Sequence, residues 1–181
     1  MGSPQPLDCA ADPTHPEIPL RTLPSMLVGL ALSCGAMQAT HAADCAKHFP
    51  TNADVSKATG LTIVSAEDVA PSCVYSTAPD KSGAPSQVAL SRMEGNAKQT
   101  FDVMNQAMAQ GKMTCEKTAG IGDDSRVCLP PGSAMQVTVV TLKGDKVYTT
   151  TVASPAAITD QAAAAKLPGA AKALATVFVA K

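Results

Sequence analysis

The sequence predicts an α+β domain: a single two-layer sandwich, with an antiparallel sheet that carries its helices on one face. Three observations lead there. "AMQVTVVTL" and "KVYTTTV" flank Lys143-Gly144-Asp145, where Gly-Asp suits a tight hairpin turn, so successive strands run antiparallel. "NAKQTFDVMNQAMAQG" (96–111) places Phe101, Met104 and Met108 at helical spacing, an apolar stripe that needs a sheet to cover. Strand signals come in runs, and no repeat of solenoid period occurs.

Each element has its own justification. "TNADVSKATG" (51–60) is a short helix: Thr51 can accept from the backbone N–H three residues on, Asp54 favours the positive N-terminal end, and Gly60 suits the left-handed position after the last turn. "LTIV" follows as an extended segment. "SCVYST" (72–77) and "PSQVALSRM" (85–93) are strands, the second alternating Val88, Leu90 and Arg92 against Gln87, Ala89 and Ser91, with the Pro- and Gly-rich "APDKSGAP" as the loop between them. In the 96–111 helix, Asn96 followed by Gln99 resembles a capping box, and Gly111 ends it. "MTCEKT" and "SRVCLP" are two short strand runs, and the 134–152 hairpin is the strongest β signal. "TDQAAAAKLPGAAKALATVFVAK" is helical, capped by Thr159, broken or restarted at Pro168, with Leu174, Val177 and Phe178 on its buried side. The order is α-β-β-α-β-β-β-β-α.

At 181 residues the chain has room for one domain plus an appendage. Residues 1–25 hold six prolines and no apolar periodicity. "MLVGLALSCGAM" (26–37) is uncharged and apolar, too short for a membrane span but the length of a signal-peptide core, and Thr40 and Ala42 are small residues where a signal peptidase reads. The expectation is a prelude and signal over 1–42, removed on export, and a mature domain over 43–181 with no transmembrane span. Two features are irregular: Arg21 is the single basic residue upstream, and three acids precede it. "LALSC" puts Ala31 where a lipoprotein signal customarily has Leu, so lipidation of Cys34 is the alternative to cleavage after Ala42.

The formal charge is −1 overall, and without the one base and three acids of residues 1–42 it is about +1. A near-neutral surface lacks the Lys/Arg clustering of a phosphate-backbone footprint, and with no Trp, two Tyr and three Phe there is little stacking platform. Nucleic acid is not an expected partner.

Cys45, Cys73, Cys115 and Cys128 remain in the mature domain, and in an exported chain they predict two disulfides, with three connectivities open. Zinc competes poorly: no Cys-x-x-Cys occurs, and His48 is the only histidine beyond Ala42. Met104 and Met108 are thioethers of the kind that hold Cu(I), yet methionine more commonly fills irregular core space. No cofactor or metal is expected.

The most chemical-looking stretch is "AGIGDDSRVC" (119–128). Calcium needs six to eight oxygens from spaced ligands, which two adjacent carboxylates and Ser125 do not supply. Ser125 has no neighbouring histidine in sequence, and Asp123 and Asp124 on one strand would point apart. A hairpin bend is the better account, and pairing of its flanking runs would bring Cys115 and Cys128 together across the strands.

A short helix ending in Gly60, Cys73-Val74-Tyr75 in an early strand, and Gly120-Ile121-Gly122-Asp123 before a later strand resemble small secreted and lipoprotein α+β domains of actinobacteria, related to the extracytoplasmic sensor domains of receptor kinases. The resemblance spans most of 44–181. It implies a sheet with flanking helices, Cys45–Cys73 and Cys115–Cys128 bridges, and an extracytoplasmic role without established catalysis; no catalytic residue carries over. The functional expectation is an exported envelope module, periplasmic or extracellular, that binds a ligand or partner protein on the uncovered sheet face, or between the last helix and the 134–152 hairpin. The alternatives are an envelope hydrolase assembled from scattered residues such as His48 and Ser125, and a structural or assembly factor.

Overall fold

The computed structural model describes residues 45–133 and 135–181. The segment expected to be a signal, its expected cleavage site and Cys34 lie outside the described residues.

The elements run α1 (Cys45–His48), α2 (Asn52–Thr59), β1 (Ile63–Val69), β2 (Ser72–Thr77), β3 (Gln87–Glu94), α3 (Ala97–Gln110), β4 (Thr114–Lys117), β5 (Asp124–Leu129), β6 (Gln136–Lys143), β7 (Lys146–Ala153) and α4 (Gln161–Val179), with a 3-10 turn at Pro155–Ile158 before α4. All seven strands form one sheet in the order β1-β2-β3-β7-β6-β5-β4, and every pairing is antiparallel. The mixed α+β class and the expected element order both hold. "LTIV" opens a full edge strand, β1, seven residues long.

Two meanders, β1-β2-β3 and β4-β5-β6-β7, are zipped together where β3 lies beside β7 over eight residue pairs. The chain must therefore travel from the middle of the sheet to its far edge between β3 and β4, and α3 makes that crossing. After β7 it returns as α4. The expected one-sided helix layer is met by α2 and α4, which pack on each other, with α4 also on β6 and β7. α3 departs from it. Adjacent residues of a strand face opposite ways, yet Val139 and Val140 are both fully buried. Val139 joins the main core with Tyr148, Val152, Leu174 and Phe178, whereas Val140 joins Val147, Ala97 and Phe101, with Met93, Met104 and Met108 packed against them. α3 thus covers part of the second face, and Met104 and Met108 are its packing residues.

Local chemistry explains most boundaries. Thr51 and Asp54 form a reciprocal capping box, and Gly60 takes φ 73°. Asn96 instead sits at φ 46° with no side-chain cap bond, so the capping box expected with Gln99 is absent; its carbonyl receives the Thr100 N–H. Thr159 closes the 3-10 turn, and Asp160 caps α4 in its place by accepting from the N–H groups of Ala162 and Ala163. α4 also runs unbroken through Pro168. A proline there removes one i→i−4 bond, but Leu167, Ala171, Leu174, Ala175 and Phe178 are all buried along the same helix. Fully burying each large apolar side chain is worth roughly 1.5–3 kcal/mol, enough to hold the helix across one missing bond. α4 is long and apolar enough to cross a membrane by length and composition, but its buried stripe is part of the core.

Candidate functional site

The 119–128 stretch is a structural bend. β4 and β5 pair so that Cys115 faces Cys128 directly. Gly120 and Gly122 have φ of 84° and 61°, conformations that favour glycine. Asp123 donates its N–H to the Leu142 carbonyl and accepts the Gly144 N–H on its carboxylate, tying the bend to the neighbouring hairpin turn. Asp124 pairs with Lys117 at 3.4 Å. Ser125 is fully buried and donates to the Thr118 carbonyl. Asp123 and Ser125 are thus both spent on tethering the bend, so the two candidate groups of the stretch serve its structure.

Ser125 and His48 are not brought together. His48 ends α1, which packs on β1 at one edge, while β5 stands five strands away in the sheet. At the usual inter-strand spacing that is on the order of 20 Å.

The four cysteines form two bridges, Cys45–Cys73 with Cα atoms 5.7 Å apart and Cys115–Cys128 with Cα atoms 4.1 Å apart. Bridges of this kind place the domain in an oxidising, non-cytoplasmic environment. The Cys45–Cys73 bridge lies in a chemically richer corner. It pins α1 to β2, while Asp68 on β1 sits opposite Cys73 in register. The Asp68 carboxylate accepts the Cys45 backbone N–H at 2.8 Å and lies 3.7 Å from the Cys73 sulfur. An open cavity of about 420 Å³ borders the bridge, lined by Cys45, Pro50, Thr51, Asn52, Ala66, Asp68 and Tyr75. Tyr75 is buried there and donates to the Pro50 carbonyl at 2.6 Å. Burial first, then the nearby charges of Asp68 and Asp54, push its phenol up to about 12.

Neither Asp68 nor this cavity was among the residues singled out in the sequence. "IVSAEDV" buries only Ile63, so it shows no strand alternation, and nothing local signals that Asp68 will meet two cysteines.

The second face of the sheet offers the other candidate. α3 packs over β6 and β7. Beyond it, Ser72, Val74 and Ser76 of β2, Ala89 and Ser91 of β3, and Thr151 of β7 share that face by register and are half-exposed. They form a half-exposed patch of mostly small side chains rich in hydroxyls. The space between α4 and the 134–152 hairpin, by contrast, is filled by the core contacts of Leu174 and Phe178 with Val139, Tyr148 and Val152.

No protein-family model, curated protein or solved structure matches the chain.

Proposed function

We propose that the chain is an exported module of the cell envelope that binds a partner or ligand without catalysis, through the half-exposed patch of Ser72, Ala89, Ser91 and Thr151. The observation that carries this reading is the pair of bridges, Cys45–Cys73 and Cys115–Cys128, built into a domain whose candidate catalytic groups are buried or far apart. Disulfides persist where export delivers a chain, and a leader over residues 1–42 would do so. The small side chains of the patch and the burial of both tyrosines favour a polypeptide surface over an enclosed small molecule or a stacked sugar.

Two measurements test the two halves of the proposal separately. Intact mass of protein from its host, before and after reduction with alkylation, should start near Ala43 and show four thiols only after reduction; a full-length mass with free thiols overturns export. A photo-crosslinking residue at Thr151 in host cells should give a discrete adduct that Ala89→Arg abolishes. The same probe at Thr176, on the exposed side of α4, should not. Equal adducts at both positions, or none at Thr151, would remove the patch from consideration.

A further inference from the structure

We propose that Cys45, Asp68 and Cys73 form a redox-gated metal site, closed while the disulfide stands and open to a zinc-class divalent ion once it is reduced. Among the described residues this is the one group whose sulfur and carboxylate ligand atoms all lie within 4.8 Å of one another. The inference is independent of the binding patch on the second face.

The geometry favours four-coordinate zinc. With Zn–S near 2.3 Å and Zn–O near 2.0 Å, a tetrahedral site separates sulfur from oxygen by about 3.5 Å and the two sulfurs by about 3.8 Å. Cys73 Sγ already lies 3.7 Å from Asp68 Oδ1. The sulfur–sulfur distance must grow, and the Cys45 side chain is the one that can swing while its backbone N–H stays on Asp68. Cys45 sits on the four-residue α1, half-exposed, whereas Cys73 is fully buried in β2. The carboxylate is held in place by the Cys45 N–H and by the register of β1 with β2. Oriented ligands of this kind bind metal more tightly than free ones. The cavity beside the bridge gives the ion an entry path and room for a water as fourth ligand. His48 follows Cys45 by three residues and is exposed, but its ring nitrogens lie outside the 4.8 Å group, so its imidazole would have to turn inward to replace that water.

Charge argues the same way. Reduced, the site would hold two thiolates and a carboxylate, a negative set that a divalent cation neutralises in large part. The gate is an ordinary thiol–disulfide exchange. One thiolate of a small dithiol attacks Cys45 Sγ, the S–S electron pair leaves on Cys73 Sγ, and that thiolate takes a proton from solvent. The second thiol of the reductant then displaces Cys45 and departs as a cyclic disulfide. Zinc binding releases the two thiol protons to solvent.

The test uses the full chain with Cys9→Ser and Cys34→Ser, so that only the four domain cysteines can respond, and zinc alone as the probe. Oxidised protein should retain no zinc after desalting. Reduced protein, confirmed folded by circular dichroism, should retain one ion per chain. Asp68→Asn, which preserves size and leaves both bridges able to form, should weaken zinc affinity at least tenfold. His48→Ala separates the two sources of the fourth ligand: a fall in affinity identifies the imidazole, and no change identifies water, with the three-residue core of the site intact in either case.

A second readout applies even if full reduction unfolds the chain. In a glutathione buffer, with each cysteine pair followed by alkylation and mass mapping, zinc should shift the reduction of Cys45–Cys73 about tenfold towards the dithiol at ten times its dissociation constant. Cys115–Cys128 should not shift. Zinc bound before reduction, equal affinity in Asp68→Asn, or the same shift at both bridges would each overturn the proposal.

Discussion

Replacing Gly122 by alanine should destabilise the domain far more than the same change at Gly120, although the two glycines lie in one turn. Both have positive φ, 61° and 84°, so each alanine carries the left-handed penalty of an L residue, about 1–2 kcal/mol. At Gly120 nothing else opposes the methyl, because no heavy atom lies within 4 Å of its position. At Gly122 the new Cβ would stand 2.5 Å from the Leu142 carbonyl oxygen and 2.5 Å from the Thr141 methyl. That oxygen cannot simply withdraw, since it accepts the Asp123 N–H at 2.8 Å, and Thr141 is 1% exposed within β6. Overpacking of this kind adds about 1–3 kcal/mol, giving a total of about 2–5 kcal/mol for Gly122→Ala against 1–2 kcal/mol for Gly120→Ala. Stiffening of the unfolded chain is common to both variants and cancels in the difference. Urea unfolding with the bridges intact measures it, as a shift in midpoint at constant slope. Equal midpoints for the two variants would refute the reasoning: the close approach of the bend to β6 would then not be what selects glycine at 122.

Three further outcomes are expected. Cys115→Ala with Cys128→Ala opens a loop of sequence separation 13 and should cost about 3 kcal/mol by the chain-entropy estimate, read by urea unfolding under non-reducing conditions. Tyr75→Phe removes the bond to Pro50 and should cost about 1 kcal/mol at neutral pH. Because folding raises the Tyr75 phenol to about 12, the stability tied to its neutral form is complete below about pH 10 and falls as pH rises towards 12. The phenylalanine variant should lose less over that window, and parallel losses in both proteins would contradict the assignment. Val140→Ala should cost about as much as Val139→Ala, on the order of 2 kcal/mol each, because both faces of β6 are packed; a Val140 variant as stable as the parent would mean α3 does not seal the second face.

Several elements were legible from neighbouring residues. Thr51, Asp54 and Gly60 act within one turn of each other, so the cap and stop of α2 could be read directly. The Gly144 turn and the Gly120–Gly122 bend are equally local, and pairing of their flanking runs carries Cys115 to Cys128. Other features were hidden by the same logic. The unbroken run "VTVVTL" in β6 marks a strand buried on both sides, and reading it as one-sided put α3 on the wrong face. Pro168 reads as a helix breaker because propensity weighs only its own missing N–H, not the core beneath α4. Asn96 reads as a cap because its side chain can serve as one, but Gly95 at φ 79° and Asn96 at φ 46° turn the chain so that backbone alone starts α3.

By itself the sequence determined the α+β class and the antiparallel hairpins, because these depend on periodicity and turn chemistry within about a dozen residues. Only the tertiary structure decided which sheet face each helix covers and which polar groups converge. Zipping β3 to β7 forces the α3 crossover over β6 and β7, and folding β1 back on β2 carries Asp68 to a bridge whose other end lies 23 residues earlier. Contacts of that range follow from how the chain returns on itself, and no local pattern of residues encodes that return.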